Sequence, residues 1–250
     1  MHRFYLPPGT ATGDHVALSE SEAVHASRVL RVQPGEIVML LDGVGGQYEG
    51  EVAAVGRREV TVDIRRRLQH APRGCAVTLL QAVAKTKAMD GLLQKAVELG
   101  VSRVIPLNAA RCVSQPDDAG DKRDKWQAIA IEAAKQSGNP WLMRIEDPVT
   151  PERWIARHEP VELLLIGSLL DPPRTPRAVF EEFRRAQGRH PTSVGVIIGP
   201  EGDFSADEYE AFRVAGAKSI TLGPLILRVE TAVAASVAVI QHELANGIPG

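Results

Sequence analysis

Apolar runs of strand length alternate with helical segments from Cys75 to the end of the chain. The runs lie near residues 75–83, 103–107, 161–166, 193–198 and 218–222. Between the first two runs, apolar residues recur at helical spacing up to Gly100, a residue type that suits a helix C-terminus. They are Met89, Leu92, Leu93, Ala96 and Val97. This alternation predicts a mostly parallel sheet that is covered by helices on both faces.

The first 70 residues show a different pattern, with short alternating runs separated by glycine-containing turns. Strands are predicted over Glu36–Leu41, Gln47–Val55 and Glu59–Leu68, a spacing typical of a small β-barrel. One helix is expected near the N-terminus, where Ser19 and Glu22 have the spacing of a capping box. The Arg-rich segment 65–74 is interpreted as a linker, so the predicted domains are 1–72 and 73–250.

Composition limits the class of protein. The chain has 250 residues, a mass of 27.0 kDa and 44% hydrophobic residues, enough for one large or two small domains. No apolar run is long enough to span a bilayer and the N-terminus does not resemble a signal peptide, so a cytoplasmic location is expected. Cys75 and Cys112 have no paired spacing, which indicates neither a disulfide framework nor a zinc site.

The formal net charge of -2 does not by itself indicate a nucleic-acid-binding protein. Phosphate recognition depends on clustered basic residues, and two clusters are present. Arg28 and Arg31 are placed one helical turn apart by the predicted helix, and Arg65–Arg67 form a run. A solvated charged surface is the favoured interpretation of either cluster when it is taken alone.

Two segments of the C-terminal half carry the strongest functional signal. Ile197–Gly202 and Leu222–Ala232 each run from an apolar strand through a glycine-bearing loop into a helix. In an α/β protein, such loops expose backbone amides and carbonyls to a ligand. The alternatives are a plain strand-to-helix turn for the first segment and a buried strand end for the second.

These two loops resemble the signature loops of the RsmE-type enzymes, the 16S ribosomal RNA uridine methyltransferases of the SPOUT superfamily. Further blocks resemble that family in the same order along the chain. They are His25–Arg31, Lys95–Val101, Pro106, Arg111–Val113 and Glu132–Gly138. The resemblance therefore extends over nearly the whole chain.

The resemblance implies a two-domain α/β protein. Residues 73–250 would form a SPOUT-like trefoil-knotted domain that binds S-adenosylmethionine, and residues 1–72 a PUA-like RNA-binding β-barrel. The knot is implied by the resemblance alone, since general topology rules disfavour threaded chains. The implied activity is methylation of the N3 nitrogen of a specific uridine in 16S ribosomal RNA of the small ribosomal subunit, a step of rRNA processing and ribosome biogenesis. A homodimer that uses no metal and no membrane is expected.

The resemblance also implies site residues. The expected cofactor-binding residues are Gly167, Ser168, Ile198, Gly199, Pro200, Glu201, Gly202, Leu222, Gly223, Leu225, Ile226, Leu227, Glu230 and Thr231. The expected RNA-binding residues are His25, Arg28, Arg31, Arg111, Gln136 and Ser137. Arg228 and Glu201 are the candidate catalytic residues.

Each of these roles has an alternative. Arg228 either holds the uridine or its phosphate, or forms a structural salt bridge; Glu230 either orders the loop or stabilises a helix N-terminus. Glu201 either accepts a proton or faces the cofactor sulfonium or solvent. Gln136 and Ser137 also fit an ordinary helix end, Arg111 a pair with a neighbouring carboxylate, and His25 a surface histidine without a role.

Three residues depart from the family pattern, namely Asp203, Asn139 and Leu225. Asp203 replaces a usual glycine and is expected to change the loop, since aspartate tolerates positive φ less well than glycine. Two further expectations concern helices. Ser205 and Glu208 predict a capping box, and the small apolar run Thr231–Ala238 predicts a helix that is buried nearly all round.

Two other function classes remain open from sequence. A related knotted methyltransferase acting on ribose or on transfer RNA would share the cofactor loops. A non-catalytic RNA-binding protein would use the barrel and keep the second domain as a scaffold. Asp171–Arg174 is similar to an amino-group methyltransferase motif, but its aromatic residue is absent, so we interpret it as a proline-rich loop.

Overall fold

A computed structural model describes residues 1–112, 119–168 and 174–245. The chain divides into two compact units. The first contains residues Met1–Pro72 and Ile131–Leu142, and the second contains Arg73–Ala130 and the rest of the chain from Met143. The short segment 131–142 therefore belongs with the N-terminal unit, although the predicted boundary near residue 72 places it in the second domain.

The first unit is built on a five-stranded sheet with the order β1-β3-β4-β5-β2. Its elements are β1 (Arg3–Tyr5), β2 (His15–Ala17), α1 (Glu20–Val24), a π-helical segment (His25–Leu30), β3 (Ile37–Leu41), β4 (Gly46–Val55) and β5 (Val60–Gln69). Strand β1 pairs parallel with β3, and the other neighbours are antiparallel. Inward side chains such as Phe4, Leu40 and Val62 form one apolar core. All three predicted strands are present.

Two local predictions for this unit are wrong. Strand β5 continues through Gln69, because Arg66 and Arg67 pair with Glu49 and Tyr48 of β4, so the linker is shorter than residues 65–74. The N-terminal helix changes to π-helical geometry at His25, and it ends at Arg31, whose φ of 54° is left-handed. Arg31 therefore lies outside the helix and not one turn beyond Arg28.

The capping box predicted at Ser19 forms only in part. The Ser19 hydroxyl accepts the Glu22 backbone N–H, but the Glu22 carboxylate accepts a hydrogen bond of 2.8 Å from the buried Lys135 ammonium instead of returning to the cap. A buried carboxylate needs a charged or hydrogen-bonding partner more than an exposed cap does. The ion pair therefore determines the direction of this side chain.

The second unit contains a six-stranded sheet with the order β11-β9-β10-β6-β7-β8, in which all neighbouring strands are parallel. The strands are β6 (Ala76–Ala82), β7 (Arg103–Leu107), β8 (Arg144–Ile145), β9 (Leu163–Gly167), β10 (Ser193–Ile198) and β11 (Lys218–Ile220). The helices are α2 (Thr86–Glu98), α3 (Ala119–Ser137), α4 (Pro151–Ala156), α5 (Pro176–Gln187), α6 (Ala206–Val214) and α7 (Val229–Ala245). Residues of α3 from Ile131 onward belong to the first unit. The predicted parallel α/β sheet is confirmed, whereas the knot stays a prediction.

Helix α7 is less buried than its composition predicts. Its buried residues Val229, Val233, Val237 and Ile240 recur every three or four positions and form one stripe, which is the ordinary pattern of a helix packed on one side. Ala238 and Thr231 on other sides of the helix are exposed. The expectation of burial nearly all round is therefore wrong for the single chain.

Candidate active site

Three loops meet at one edge of the parallel sheet. Strands β11, β9 and β10 are neighbours, and Ile220 at the end of β11 pairs with Gly167 at the end of β9. Because all three strands are parallel, the segments after Gly167, Ile198 and Ile220 leave the sheet at the same carboxyl edge. This is the edge at which open α/β sheets bind ligands.

A cleft of about 800 Å³ opens between these loops, a volume within the usual range for small-molecule sites. Most of the predicted cofactor residues line it. Those that do are Gly167, Ser168, Ile198, Gly199, Pro200, Glu201, Leu222, Gly223, Leu225, Ile226, Leu227 and Glu230, together with the candidate catalytic Arg228. Residues of the two glycine-bearing segments thus line the same cavity.

Gly202 and Thr231 are not among the lining residues. Gly202 lies against Arg111, whose guanidinium donates a hydrogen bond of 3.2 Å to the Gly202 carbonyl. Arg111 therefore braces the turn after β10. Thr231 is exposed on the first turn of α7.

One wall of the cleft was not predicted. Lys85, Lys87, Ala88 and Gly91 line it from the start of α2. They follow β6, which lies next to β10 in the sheet. The carboxyl-edge rule applied to β6 would have indicated residues 83–91, since every parallel strand delivers its following loop to the same edge. The other unpredicted lining residues are Asp203, Tyr209, Ile220, Val229 and Ala232.

Glu201 connects two walls of the cleft. Its Oε1 accepts a hydrogen bond of 3.2 Å from the backbone N–H of Lys85, the residue that precedes α2 and caps it without a side-chain hydrogen bond. A carboxylate at this position satisfies an amide that the helix leaves unpaired and interacts favourably with the helix dipole. Glu201 thus has a structural contact in addition to its exposure to the cavity.

Asp203 adopts the backbone conformation of a glycine. Its φ is 60°, so the departure from the family pattern preserves the left-handed turn rather than abolishing it. The carboxylate supports this conformation locally, because Oδ1 accepts the Phe204 backbone N–H at 2.8 Å. Aspartate tolerates the left-handed region better than most residues for this reason.

Arg228 lines the cleft and is exposed. Within the described ranges, it has no side-chain hydrogen bond or ion pair; only its carbonyl is engaged, by the Ala232 N–H. The alternative of a structural salt bridge is therefore not seen among these residues. Glu230 lies in the first turn of α7, where a carboxylate stabilises the helix dipole.

The cleft combines apolar and charged surfaces. Leu225 and Ile226 are 72% and 84% exposed, which is unusual for large aliphatic side chains beside a cavity. The basic residues Lys85, Lys87 and Arg228 face the acidic residues Glu201, Asp203 and Glu230 in the same lining. Such a cavity suits a ligand that has an aromatic or apolar part and charges of both signs.

The thiol nearest to this edge is not activated as a nucleophile. Cys112 follows β7, and burial raises the pKa of its thiol above the usual value. Its Sγ donates a hydrogen bond of 3.6 Å to the Leu107 carbonyl. Because only the thiolate is a strong nucleophile, covalent catalysis by Cys112 is disfavoured.

Most of the predicted RNA-binding residues lie in the first unit. Arg28 and Arg31 are exposed, and His25 is half-buried at the start of the π-helical segment. Gln136 is exposed near the end of α3, and its carbonyl accepts a hydrogen bond of 2.8 Å from Arg3. The Ser137 hydroxyl donates back to the Ala133 carbonyl at 2.7 Å.

Neither a metal-binding cluster nor a membrane-spanning helix is present in the described part of the chain. No group of three or more His, Cys, Asp or Glu side chains is arranged to hold a metal ion. No helix among those residues is long and apolar enough to cross a membrane. The loop predicted at Asp171–Arg174 lies outside the described residues except for Arg174.

Comparison with known families agrees with this geometry. Residues 71–241 match the RNA methyltransferase domain family, and residues 18–65 match the RNA methyltransferase PUA domain family. The ribosomal RNA small subunit methyltransferase E of Aquifex aeolicus is 31% identical over 243 residues, covering 97% of this chain and 100% of that protein. The Mycobacterium bovis protein of the same name is 30% identical over 240 residues, covering 95% and 90%.

Two solved structures show the same fold with a ligand. A putative methyltransferase from Legionella pneumophila, in complex with the cofactor S-adenosylmethionine, superposes with a TM-score of 0.85 at 30% identity and 96% coverage of both chains. The ribosomal RNA small subunit methyltransferase E from Neisseria gonorrhoeae, bound to S-adenosylmethionine, gives a TM-score of 0.84 at 30% identity and 97% coverage of both chains.

Proposed function

The chain belongs to the ribosomal RNA small subunit methyltransferase E family, and from this premise we propose that it methylates the N3 nitrogen of a uridine in 16S ribosomal RNA, using S-adenosylmethionine. The observation that carries the proposal is the cleft at the carboxyl edge of β9, β10 and β11. Residues of both predicted loops line this cleft together with the exposed Arg228.

The cleft residues fit the chemistry of this cofactor. The exposed apolar side chains of Leu225 and Ile226 would cover the adenine, and the backbone groups of the two glycine-bearing loops would bind its edge. The acidic side chains Glu201 and Glu230 would balance the positive charges of the sulfonium and the ammonium. When bound, the cofactor supplies an electrophilic methyl group, so the protein mainly orients the acceptor and manages one proton.

Arg228 is the residue that we assign to the acceptor. A uracil N3 becomes nucleophilic as it loses its proton, and a guanidinium beside it would stabilise the negative charge that spreads onto the carbonyl oxygens of the base. As the N3–methyl bond forms, the methyl–sulfur bond of the donor would break to leave a neutral thioether, and the N3 proton would pass to an acceptor on the protein. Glu201 is the candidate acceptor for that proton, and this second assignment is a prediction independent of the first.

RNA binding is assigned to exposed polar and basic side chains. The set comprises His25, Arg28, Arg31, Arg111, Gln136 and Ser137. Basic side chains bind phosphates regardless of sequence, whereas amide and hydroxyl groups also bind bases or ribose. Because Arg111 also braces the 199–203 turn, its loss would affect the cofactor cleft as well.

A homodimer is proposed from the surface of α7, whose exposed side carries small residues such as Ala238 that allow close packing by a second helix. The proposed substrate is part of the small ribosomal subunit, and a cytoplasmic location follows from it. Sedimentation of the purified protein tests the dimer directly. A monomer at all concentrations up to 100-fold above those of the activity assay would reject it.

Methyl transfer to ribosomal subunits tests the proposed activity. The protein is incubated with labelled S-adenosylmethionine and small subunits that lack the modification, and the digested RNA is analysed for modified nucleosides. We expect N3-methyluridine at one position. Ribose-methylated nucleosides, a product found only with transfer RNA, or no incorporation would each overturn the proposal.

An Arg228→Ala variant tests the catalytic assignment separately. Removal of one group that stabilises a developing anion typically lowers kcat by about 100-fold or more. We expect that loss with a cofactor Kd within about twofold of wild type, because the guanidinium is assigned to the acceptor. Full turnover with normal substrate affinity would eliminate Arg228 from the mechanism.

A further inference from the structure

Asp203 is one of three non-glycine residues with positive φ in the described part of the chain, and it is the one that lines the cleft. For a residue with a Cβ, the left-handed backbone region is energetically unfavourable. Such conformations persist where surrounding contacts hold them, and they concentrate at ligand sites. The contacts of Asp203 therefore indicate what maintains the shape of the 199–203 turn.

The Asp203 carboxylate is held from two directions. In addition to the Phe204 N–H, its Oδ1 accepts a hydrogen bond of 2.7 Å from the Tyr209 hydroxyl. Tyr209 belongs to α6, and its ring packs edge-on against Phe204 with centroids 5.7 Å apart. The bond thus fixes the end of the turn to the helix that follows it.

The same pair contacts two other parts of the cleft wall. A Cβ placed on Gly199 would lie 3.1 Å from Asp203 Oδ1, so the carboxylate packs closely on the first residue of the turn. The Tyr209 hydroxyl also lies 3.4 Å from the Gly167 carbonyl at the end of β9. Asp203 and Tyr209 therefore link the end of β9 to the turn after β10.

We propose that Asp203 and Tyr209 act together as a positioning pair that sets the shape of the cofactor cleft before the cofactor binds. This inference rests on the proposed function of the cleft. The hydroxyl-to-carboxylate hydrogen bond replaces the conformational freedom of a glycine with a fixed turn. The turn then loses less conformational entropy when the cofactor binds, which raises affinity without a direct contact between the pair and the cofactor.

Substitutions separate the hydrogen bonds of Asp203 from its charge. Asp203→Asn keeps an oxygen that accepts from Tyr209 and Phe204, and asparagine tolerates the left-handed backbone. Asp203→Ala removes both bonds, and Tyr209→Phe removes one and keeps the ring packing. We expect Kd for S-adenosylmethionine to stay within about threefold of wild type in Asp203→Asn and to rise about tenfold in the other two variants, as measured by calorimetry.

The most direct test is whether the effects of the Asp203 and Tyr209 substitutions on Kd depend on each other. In the Asp203→Ala background, Tyr209→Phe should raise Kd by less than it does in the wild-type protein, because the bond to Asp203 is already lost and only the contact with the Gly167 carbonyl remains. In steady-state assays, KM for the cofactor should rise in the single variants while KM for the ribosomal subunit stays unchanged. A purely structural defect would reduce the active fraction and leave KM for the cofactor unaltered.

Tyr48→Phe is the matched control. The Tyr48 hydroxyl donates to the Asp42 carboxylate at 2.9 Å in the first unit, so this variant loses the same kind of bond outside the cleft. We expect it to alter thermal stability and to leave the cofactor Kd unchanged.

Three results would overturn the inference. They are a cofactor Kd for Asp203→Asn that is as high as that for Asp203→Ala, additive effects of the two substitutions on Kd in the double variant, or a Tyr209→Phe variant with the wild-type Kd. The Kd of Tyr209→Phe tests the inference even if Asp203→Ala fails to fold. Failure of the wild-type protein to bind S-adenosylmethionine counts instead against the proposed function, so the two failures are distinguishable.

Discussion

Gly223 in the loop after β11 has a backbone φ of 122°, a value that residues with a Cβ rarely adopt. The loop is held there by Thr221, whose hydroxyl accepts the Gly223 N–H at 3.2 Å and donates to the Gly223 carbonyl at 3.1 Å. A Cβ at this position would meet no atom within 4 Å. A Gly223→Ala substitution therefore tests the backbone conformation alone, without a steric clash.

The expected effect follows from the cost of that conformation. Holding a residue with a Cβ in such a region costs about 1–3 kcal/mol. The unbound loop is exposed and can relax, so the cost appears when the cofactor requires the loop in its present shape. At 1.4 kcal/mol per tenfold change, Kd for S-adenosylmethionine should rise about 5- to 150-fold in calorimetry, with little change in melting temperature.

Gly216→Ala provides the control. Gly216 also has a positive φ, 94°, with no atom within 4 Å of an added Cβ, but it follows α6 and does not line the cleft. That variant should lose thermal stability and keep the cofactor affinity of wild type. The reasoning fails if Gly223→Ala binds the cofactor as tightly as wild type, or if both variants lose affinity equally.

Three further predictions concern charge and stability. Lys135→Ala should destabilise the protein by about 3 kcal/mol or more in denaturant titration, because the buried Glu22 loses its partner; an unchanged midpoint would contradict this. Hydrogen bonds from Arg189 and Thr192 lower the pKa of Glu162 to about 2. The stability that Glu162 provides should therefore be complete above its ordinary pKa of 4.5 and lost as the pH falls towards 2, so melting temperatures of wild type and Glu162→Gln should converge over that interval. Burial raises the pKa of the Cys75 thiol to about 11, so its alkylation by iodoacetamide, followed by peptide mass spectrometry, should be slow at pH 8 and should still be accelerating at pH 10.

The segments that line the cleft were predictable because local sequence and the geometry of parallel sheets point to the same place. An apolar strand, a glycine-bearing loop and a helix recur at Ile197–Gly202 and at Leu222–Ala232, and parallel strands bring such loops to one edge. The adjacency of β9, β10 and β11 in the sheet then completes the cavity.

The parts that were missed depend on pairing between distant segments. Lys85 and Lys87 reach the cleft because β6 lies beside β10. The pattern of apolar residues indicates that the segment after β6 lies at this edge, but it does not specify which strand adjoins β10. Strands β1, β2 and β8 have two or three residues each, too few for a periodic signal. The left-handed Asp203 depends on a hydroxyl of another element, Tyr209, and no local rule places that contact.

A structure of the protein with bound S-adenosylmethionine tests the central claim most directly. We expect the adenine to pack against Leu225 and Ile226 and the sulfonium methyl to face Arg228, in the cleft at the carboxyl ends of β9, β10 and β11. Density for the cofactor at any other position, with this cleft empty, would contradict it.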